Sequence, residues 1–482
     1  MSEISSKIKS GIIWSSASIF INIFNLFVIT AILARILSPE DFGLMAVITT
    51  IIGFAKIFVD LGLSSAIIQK QKIDDMQLSV INNLNIISGF LLAILMYFIA
   101  PLISDFFGDF RLVNLIRLTS VIFLVQSFSM VYKAILQKKM LFKVLSINSM
   151  ISECVKGVVS IICAVLGLGV YSLILGQIAL NITELILLII KQKNLYEKKI
   201  WVFSIKGIRN ELRYSLYLVG FQITHYLGQN LDKIIIGKIA GTHALGLYTV
   251  VSQLIMIPRQ NINPIITKVM FPALSSLQDD IGLLKEYHHK MMKYISFFTI
   301  PPLIGLFFLS EKFIFLVYGE KWLDAVVVLK IMCFVGIFRS LNSLQGNVVM
   351  AKGKTRFMFL NNMVIIPLTL LATLVVSYFG VESVAYVNLI SSIISFLFLS
   401  TYIKKILKGK FLEEIMDLKT GVLSSILMLI LLSIISPYIK NLSILNSFII
   451  EVVIGILILL SYLLFFDKKF IKEILGKRKM KN

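Results

Sequence analysis

The stretch AILARILSPEDFGLMAV at residues 31–47 has a counterpart 203 positions later, IIIGKIAGTHALGLYTV at residues 234–250. Ile32 aligns with Ile235, Arg35 with Lys238, Ile36 with Ile239, Gly43 and Leu44 with Gly246 and Leu247, and Val47 with Val250. Further along, the matching offset becomes 213, the shift expected of a ten-residue insertion in the loop LSSLQDDIGLLKEYHHK (274–290). There Ser127 meets Ser340, Lys139 meets Lys352, Lys143 meets Arg356, Asn148 meets Asn361, Met150 meets Met363 and Gly167 meets Gly380. Two nearby offsets in matching positions point to a duplicated fold.

The repeated material is membrane material. Of the 482 residues, 57% are hydrophobic and only 15% charged, and the mean hydropathy of +0.90 lies outside the soluble range. A spanning helix needs roughly 20 apolar residues. Fourteen stretches meet that need, at 11–34, 43–67, 80–104, 112–133, 147–166, 169–190, 214–237, 243–269, 291–310, 323–350, 357–379, 382–403, 420–438 and 445–466. They are too long, and too free of alternation, for barrel strands. The N-terminal MSEISSKIKSGIIW has basic residues ahead of an apolar run, yet no small-residue cleavage site follows, so it reads as a retained first span. Cys154, Cys163 and Cys333 stand apart, which suggests neither a disulfide framework nor a metal site.

A net charge of +21 could suggest nucleic acid, but its distribution points elsewhere. With an even number of spans, both termini share one side with alternate loops, and that side collects 34 of the 47 basic residues against six on the other. Positive loops stay in the cytoplasm, so both termini are expected there. The C-terminal DKKFIKEILGKRKMKN reads as a topology anchor beside anionic lipid heads. Each repeat holds six spans, so both copies enter the membrane in the same orientation, as parallel repeats do. The expected fold is an all-α polytopic membrane protein of about fourteen helices, with two pseudo-symmetric six-helix lobes around a central cavity and two extra C-terminal helices. The expected domains are 1–200, 201–406 and 407–482, with the basic linker 191–210 between the lobes.

Seven basic residues remain inside spans: Lys56, Arg117, Lys156, Lys233, Arg259, Lys330 and Arg339. A charge at the bilayer centre is unfavourable by about 3 kcal/mol on insertion scales, so it faces a cavity or a partner. Lys56 and Arg259 are equivalent at offset 203. On span 2, Thr49, Gly53, Lys56, Asp60 and Ser64 share one helical face; their counterparts are Ser252, Met256, Arg259, Asn263 and Thr267. Span 1 offers Ser15, Ser18, Asn22 and Asn25, and span 7 offers Gln222, His225, Gln229 and Asp232, with Asn22 and His225 equivalent. The candidate cargo-binding set is Lys56, Arg259, Asp60, Asn22, Asn25, Gln222, His225 and Asn263.

Structural readings stand beside these. Lys56 and Asp60 are an i,i+4 pair able to neutralise itself, and Glu153 with Lys156 reads as a helix-face bridge. Asp232 beside Lys233 fits either an ion-coupling pair or a helix end. Glu184 and Glu451 lack a local partner, which leaves a proton-coupling role open. Asp60 is replaced by neutral Asn263 in the second repeat while the cation is kept, and that favours a cavity role for Lys56.

The sequence holds no G-x-x-x-x-G-K-[ST] loop, H-E-x-x-H pair or G-x-S-x-G elbow, and its loops are short. Neither ATP hydrolysis nor a sizeable extramembrane enzyme is expected, and no cofactor or metal site is indicated. LARILSPEDFGLMAV (33–47), DLGLSSAIIQK (60–70), NLDKIIIGKIAGTHALGLY (230–248), VMFPALSSLQDD (269–280) and VYGEKWLDAV (317–326) resemble the polysaccharide-export branch of the multidrug/oligosaccharidyl-lipid/polysaccharide (MOP) flippase superfamily. That resemblance, in register over about 11–400, implies a non-enzymatic flippase of the bacterial cytoplasmic membrane. It would move an undecaprenyl-pyrophosphate-linked oligosaccharide outward by alternating access. The implied partners are the lipid-linked oligosaccharide, membrane lipids, a coupling cation (H+ or Na+) and polysaccharide assembly proteins, with no nucleic acid. A drug or metabolite exporter of the same fold, or a membrane glycan-transferring enzyme, is the alternative.

Overall fold

The structure is a computed structural model and describes residues 2–60, 63–69, 73–191, 209–257, 280–409 and 411–467. The described residues are overwhelmingly helical, with no strand among them. In chain order the helices are α1 (Ser2–Ile36), α2 (Pro39–Asp60), α3 (Leu63–Gln69), α4 (Asp75–Phe107), α5 (Arg111–Thr119), α6 (Val121–Lys138), α7 (Phe142–Val165), α8 (Tyr171–Lys191), α9 (Arg209–Ile239) and α10 (Gly241–Ile257). They continue with α11 (Ile281–Phe308), α12 (Ser310–Val317), α13 (Ala325–Ala351), α14 (Thr355–Val376), α15 (Val381–Leu407), α16 (Phe411–Asp417), α17 (Lys419–Ile435) and α18 (Ile444–Phe466).

Twelve helical stretches among the described residues are long and apolar enough to cross a membrane, α5 and α6 running together as one, and the chain is an all-α polytopic membrane protein. The two remaining expected spans fall on α9 and α10. Gln222, Asn230, Asp232 and Lys233 break the apolar character of α9, and α10 is apolar over its 17 described residues, the rest of the span expected at 243–269 lying outside the described residues. The stripe Phe90, Leu91, Ile94, Leu95, Phe98 and Leu102 on α4 is exposed and apolar, the pattern of a face turned to acyl chains.

The chain divides into two compact units, Met1–Gly246 and Leu247–Asn482. In the first, α1 packs on α7, α7 on α8, α8 on α6 and α6 on α4, while α2 lies against α4, α5, α6 and α9. The division falls past the linker expected at 191–210 because α9 is tied to α2. The Tyr226 hydroxyl donates to the Thr50 carbonyl at 2.8 Å, and the Tyr226 ring occupies the space left by the missing side chain of Gly53. In the second unit α13 pairs with α15 and α11, α14 covers α15, and α17 packs on α11 and α18. The short α16 is held there by Gln345, whose amide donates to Glu414 at 2.6 Å and to Ser400 at 2.7 Å.

The SPEDFG segment has a structural explanation. The Ser38 N–H donates to Asp41 Oδ2 at 3.0 Å and the Asp41 N–H to Ser38 Oγ at 3.3 Å, a capping box with Pro39 in the first turn of α2. One turn later Gly43 meets the start of α10, whose residues up to Gly246 belong to the same unit. A Cβ on Gly43 would lie 1.8 Å from the Thr242 carbonyl oxygen, and one on Gly246 would lie 1.9 Å from that of Pro39. These are repeat-equivalent positions, 43 with 246 and 39 with 242, meeting reciprocally where only glycine permits the backbones to touch. Gly43→Ala and Gly246→Ala are each expected to destabilise the fold by about 1–3 kcal/mol or more, since backbone must move. Size-exclusion profiles of detergent-extracted protein should shift from monodisperse to aggregated.

Equivalent helices are also joined by a side-chain hydrogen bond inside each unit, from donors 213 positions apart to asparagines 207 positions apart. On α6, Gln126 Nε2 donates to Asn181 Oδ1 of α8 at 3.0 Å, and Asn181 Nδ2 returns to its own helix at Gln177 O, 2.7 Å away. On α13, Arg339, which is Gln126 plus 213, donates through Nη2 to Asn388 Oδ1 of α15 at 2.5 Å, and Asn388 Nδ2 returns to Val384 O at 3.1 Å.

Candidate functional site

Lys56 stands near the C-terminal end of α2 and is exposed. Its expected bridge to Asp60 does not form. Asp60 is taken up by the start of α3, where its Oδ1 accepts from the Ser64 N–H at 3.1 Å and from the Ser64 hydroxyl. Among the described residues Lys56 makes no hydrogen bond or ion pair, and it feels Lys133, Glu184 and Asp60 only through longer-range electrostatics. Thr49, on the same face, turns its hydroxyl to its own helix at Ala46 O, 3.1 Å away.

Two residues of this cluster escaped the sequence reading. Lys133 counts there among the cytoplasmic loop charges and Glu184 is left without a partner; in the fold they form an ion pair of 2.7 Å between α6 and α8, each only part-exposed. Their 51-residue separation gives no periodic signal. The available clue was that Lys133 is an ionisable residue at the end of an apolar run and Glu184 one inside such a run. The cluster thus holds two cations and two carboxylates, but one carboxylate is committed to Lys133 and the other to a helix start. Lys56 is left as the cation without a contacting anion.

The other candidate residues are not gathered at this point. Asn22 and Asn25 look toward α7, with Asn22 Nδ2 donating to Ser149 Oγ at 3.1 Å and Asn25 Nδ2 to Cys154 Sγ at 3.2 Å. Their polar face forms contacts between packed helices, though Asn22 Oδ1 stays buried without a hydrogen-bond partner. Gln222 is part-buried on α9. The position of His225 lies on α9 with its side chain outside the described residues, as are Arg259 and Asn263 entirely. Lys233 turns its ammonium to Asn230 Oδ1 at 3.1 Å, while Asp232 accepts from the Lys233 backbone N–H at 2.8 Å, as at a helix-local polar cluster. Glu153 and Lys156 do form their i,i+3 bridge at 3.2 Å.

In the second unit, Glu451 also gains a distant partner. The Lys312 ammonium contacts both of its carboxylate oxygens at 2.7 Å, and the Glu451 side chain is 0% exposed. Both acids left open as proton-coupling candidates are therefore ion-paired.

Helices in this arrangement form a fold found among solved transporters of the MOP superfamily. The fold matches that of the lipid II flippase MurJ in an inward closed conformation, with a TM-score of 0.76 at 21% identity over 95% of this chain and 100% of that one. It is shared more distantly by multidrug transporters of the superfamily. The chain belongs to the polysaccharide biosynthesis protein family, which matches residues 32–327. The teichuronic acid biosynthesis protein TuaB of Bacillus subtilis (strain 168) is 31% identical over 86% of this chain and 87% of its own length. The lipopolysaccharide biosynthesis protein WzxC of Escherichia coli (strain K12) is 28% identical over 86% and 84%. The expected membership of the superfamily's polysaccharide branch holds.

Proposed function

We propose that this protein is a flippase that carries an undecaprenyl-pyrophosphate-linked oligosaccharide from the cytoplasmic to the outer leaflet of the bacterial cytoplasmic membrane, by alternating access. The cargo serves a surface polysaccharide, whether O-antigen, capsule or exopolysaccharide. Both termini are cytoplasmic, and a cation gradient, H+ or Na+, supplies the drive in the absence of a nucleotide-binding motif. The observation that carries the reading is Lys56, an accessible cation in an apolar span with no anion of its own among the described residues. A cation held in that way in low dielectric attracts a phosphate strongly. Arg259, its repeat equivalent, is assigned the same role, with Asp60, Gln222, His225 and Asn263 as polar supports, whereas Asn22 and Asn25, which bond to α7, leave the set. An exporter of organic cations would want the opposite sign of free charge. Family membership and the names of TuaB and WzxC support a polysaccharide precursor as cargo.

The test is translocation in proteoliposomes. A fluorescent undecaprenyl-pyrophosphate oligosaccharide placed in one leaflet should become accessible to a membrane-impermeant quencher in the other, faster than in protein-free vesicles. Equal rates with and without protein, under an imposed H+ or Na+ gradient, would overturn the reading.

A further inference from the structure

Arg339 sits in the middle of the 27-residue α13, about 20 Å from either end at 1.5 Å per residue. A guanidinium at that depth calls for an anion or for water. Among the described residues no carboxylate pairs with it, and its one hydrogen bond goes to the neutral oxygen of Asn388 at 2.5 Å. That amide is locked. Asn388 is 2% exposed, and its Nδ2 donates to the Tyr248 hydroxyl at 3.3 Å and to Val384 O, so its oxygen can only face the arginine.

The charge exceeds what packing needs. In the first unit a neutral residue, Gln126, joins the equivalent helices through an asparagine, Asn181, that aligns with position 394 rather than 388. Nor does the charge face lipid on the α15 side. The exposed apolar stripe of α15 is Tyr386, Ile390, Ile394 and Leu397, and at 100° per residue Asn388 lies across the helix from Tyr386 and Ile390. Along α13 the part-buried neighbours at one- and two-turn spacing are Asn342, Ser343 and Asn347, a polar track rather than an acyl-facing one.

We propose that Arg339 is an oxyanion-binding residue of the transport path, with Asn388 and Tyr248 as positioning residues; this rests on the flippase reading above. Among the described residues four of its five N–H groups have no partner, which leaves a fork able to grip an oxyanion in bidentate fashion. The diphosphate of the lipid carrier and the carboxylate of an acidic sugar share that chemistry.

The test uses the full chain in lipid nanodiscs, titrated separately with inorganic pyrophosphate and with sodium glucuronate. Arg339→Gln removes the charge and keeps an amide donor of the kind Gln126 uses, so its melting temperature should stay close to that of the parent while affinity for one of the two anions falls at least about tenfold, the scale of one charge-assisted hydrogen bond. Loss of pyrophosphate binding identifies the carrier diphosphate; loss of glucuronate binding identifies an acidic sugar. Arg339→Lys, which keeps the charge but not the fork, should weaken the same anion by less, and it decides the matter if the glutamine variant does not fold. Asn388→Ala should also weaken that anion. Unchanged affinity for both anions in the folded arginine variants, or no binding of either by the parent, overturns the assignment. If the parent still translocates lipid-linked oligosaccharide, the flippase reading survives that failure; if it does not, the flippase reading itself fails.

Discussion

Lys56→Ala combined with Arg259→Ala is expected to abolish surface polysaccharide while the protein remains at its normal level in the membrane. Lys56→Ala alone should slow transport by roughly 10- to 100-fold, the worth of a hydrogen bond to a charged group. The single substitution is clean because Lys56 has no hydrogen bond or ion pair to lose among the described residues, and its neighbour Asp60 is held by Ser64 rather than by the lysine. Removing an unpartnered cation from an apolar span should if anything favour insertion. Lys133→Ala is the instructive contrast. It strips Glu184 of its 2.7 Å partner, so its phenotype should include loss of folded protein. Immunoblots for surface polysaccharide, read beside membrane levels of an epitope-tagged protein, separate the two. Normal export by the double alanine variant would remove Lys56 and Arg259 from the cargo site.

Much of the fold was legible because it depends on one-dimensional quantities. Apolar runs of bilayer length gave the spans, including 214–237 on α9 despite the polar load of that helix. SPEDFG reads as a fold signature, and the capping box with the Gly43 contact supplies the reason. Lys56 was legible because a charge inside an apolar run is visible without any tertiary knowledge. The ion pairs were not. Lys133 with Glu184, and Lys312 with Glu451 at a separation of 139 residues, depend on which helices pack together. Asn22 and Asn25 show the remaining ambiguity in physical form. Helical periodicity correctly placed them on one face, but a polar face in a membrane either lines water or bonds to another helix, and theirs bonds to α7.

The Lys312–Glu451 pair carries the largest expected effect on stability. Glu451 lies within the apolar α18 with its carboxylate fully buried, so any state that lacks the lysine holds an uncompensated charge in low dielectric. Lys312→Ala should therefore destabilise the protein by about 3–5 kcal/mol, as breaking a buried pair does. Replacing both partners, as in Lys312→Met with Glu451→Leu, should recover most of that loss, because the desolvation of two charges disappears with their attraction. Thermal unfolding in nanodiscs of the parent, Lys312→Met, Glu451→Leu and the double variant gives the coupling energy as a double-mutant cycle. The same double variant also tests the role of the acid. A carboxylate that only fixes α18 to α12 can be lost with its partner and leave translocation intact, whereas a carboxylate that carries protons cannot. The contact of both oxygens with one ammonium at 2.7 Å favours the first outcome, since a proton carrier needs an oxygen free to bind its proton. A stable but inactive double variant would instead make Glu451 part of the coupling machinery.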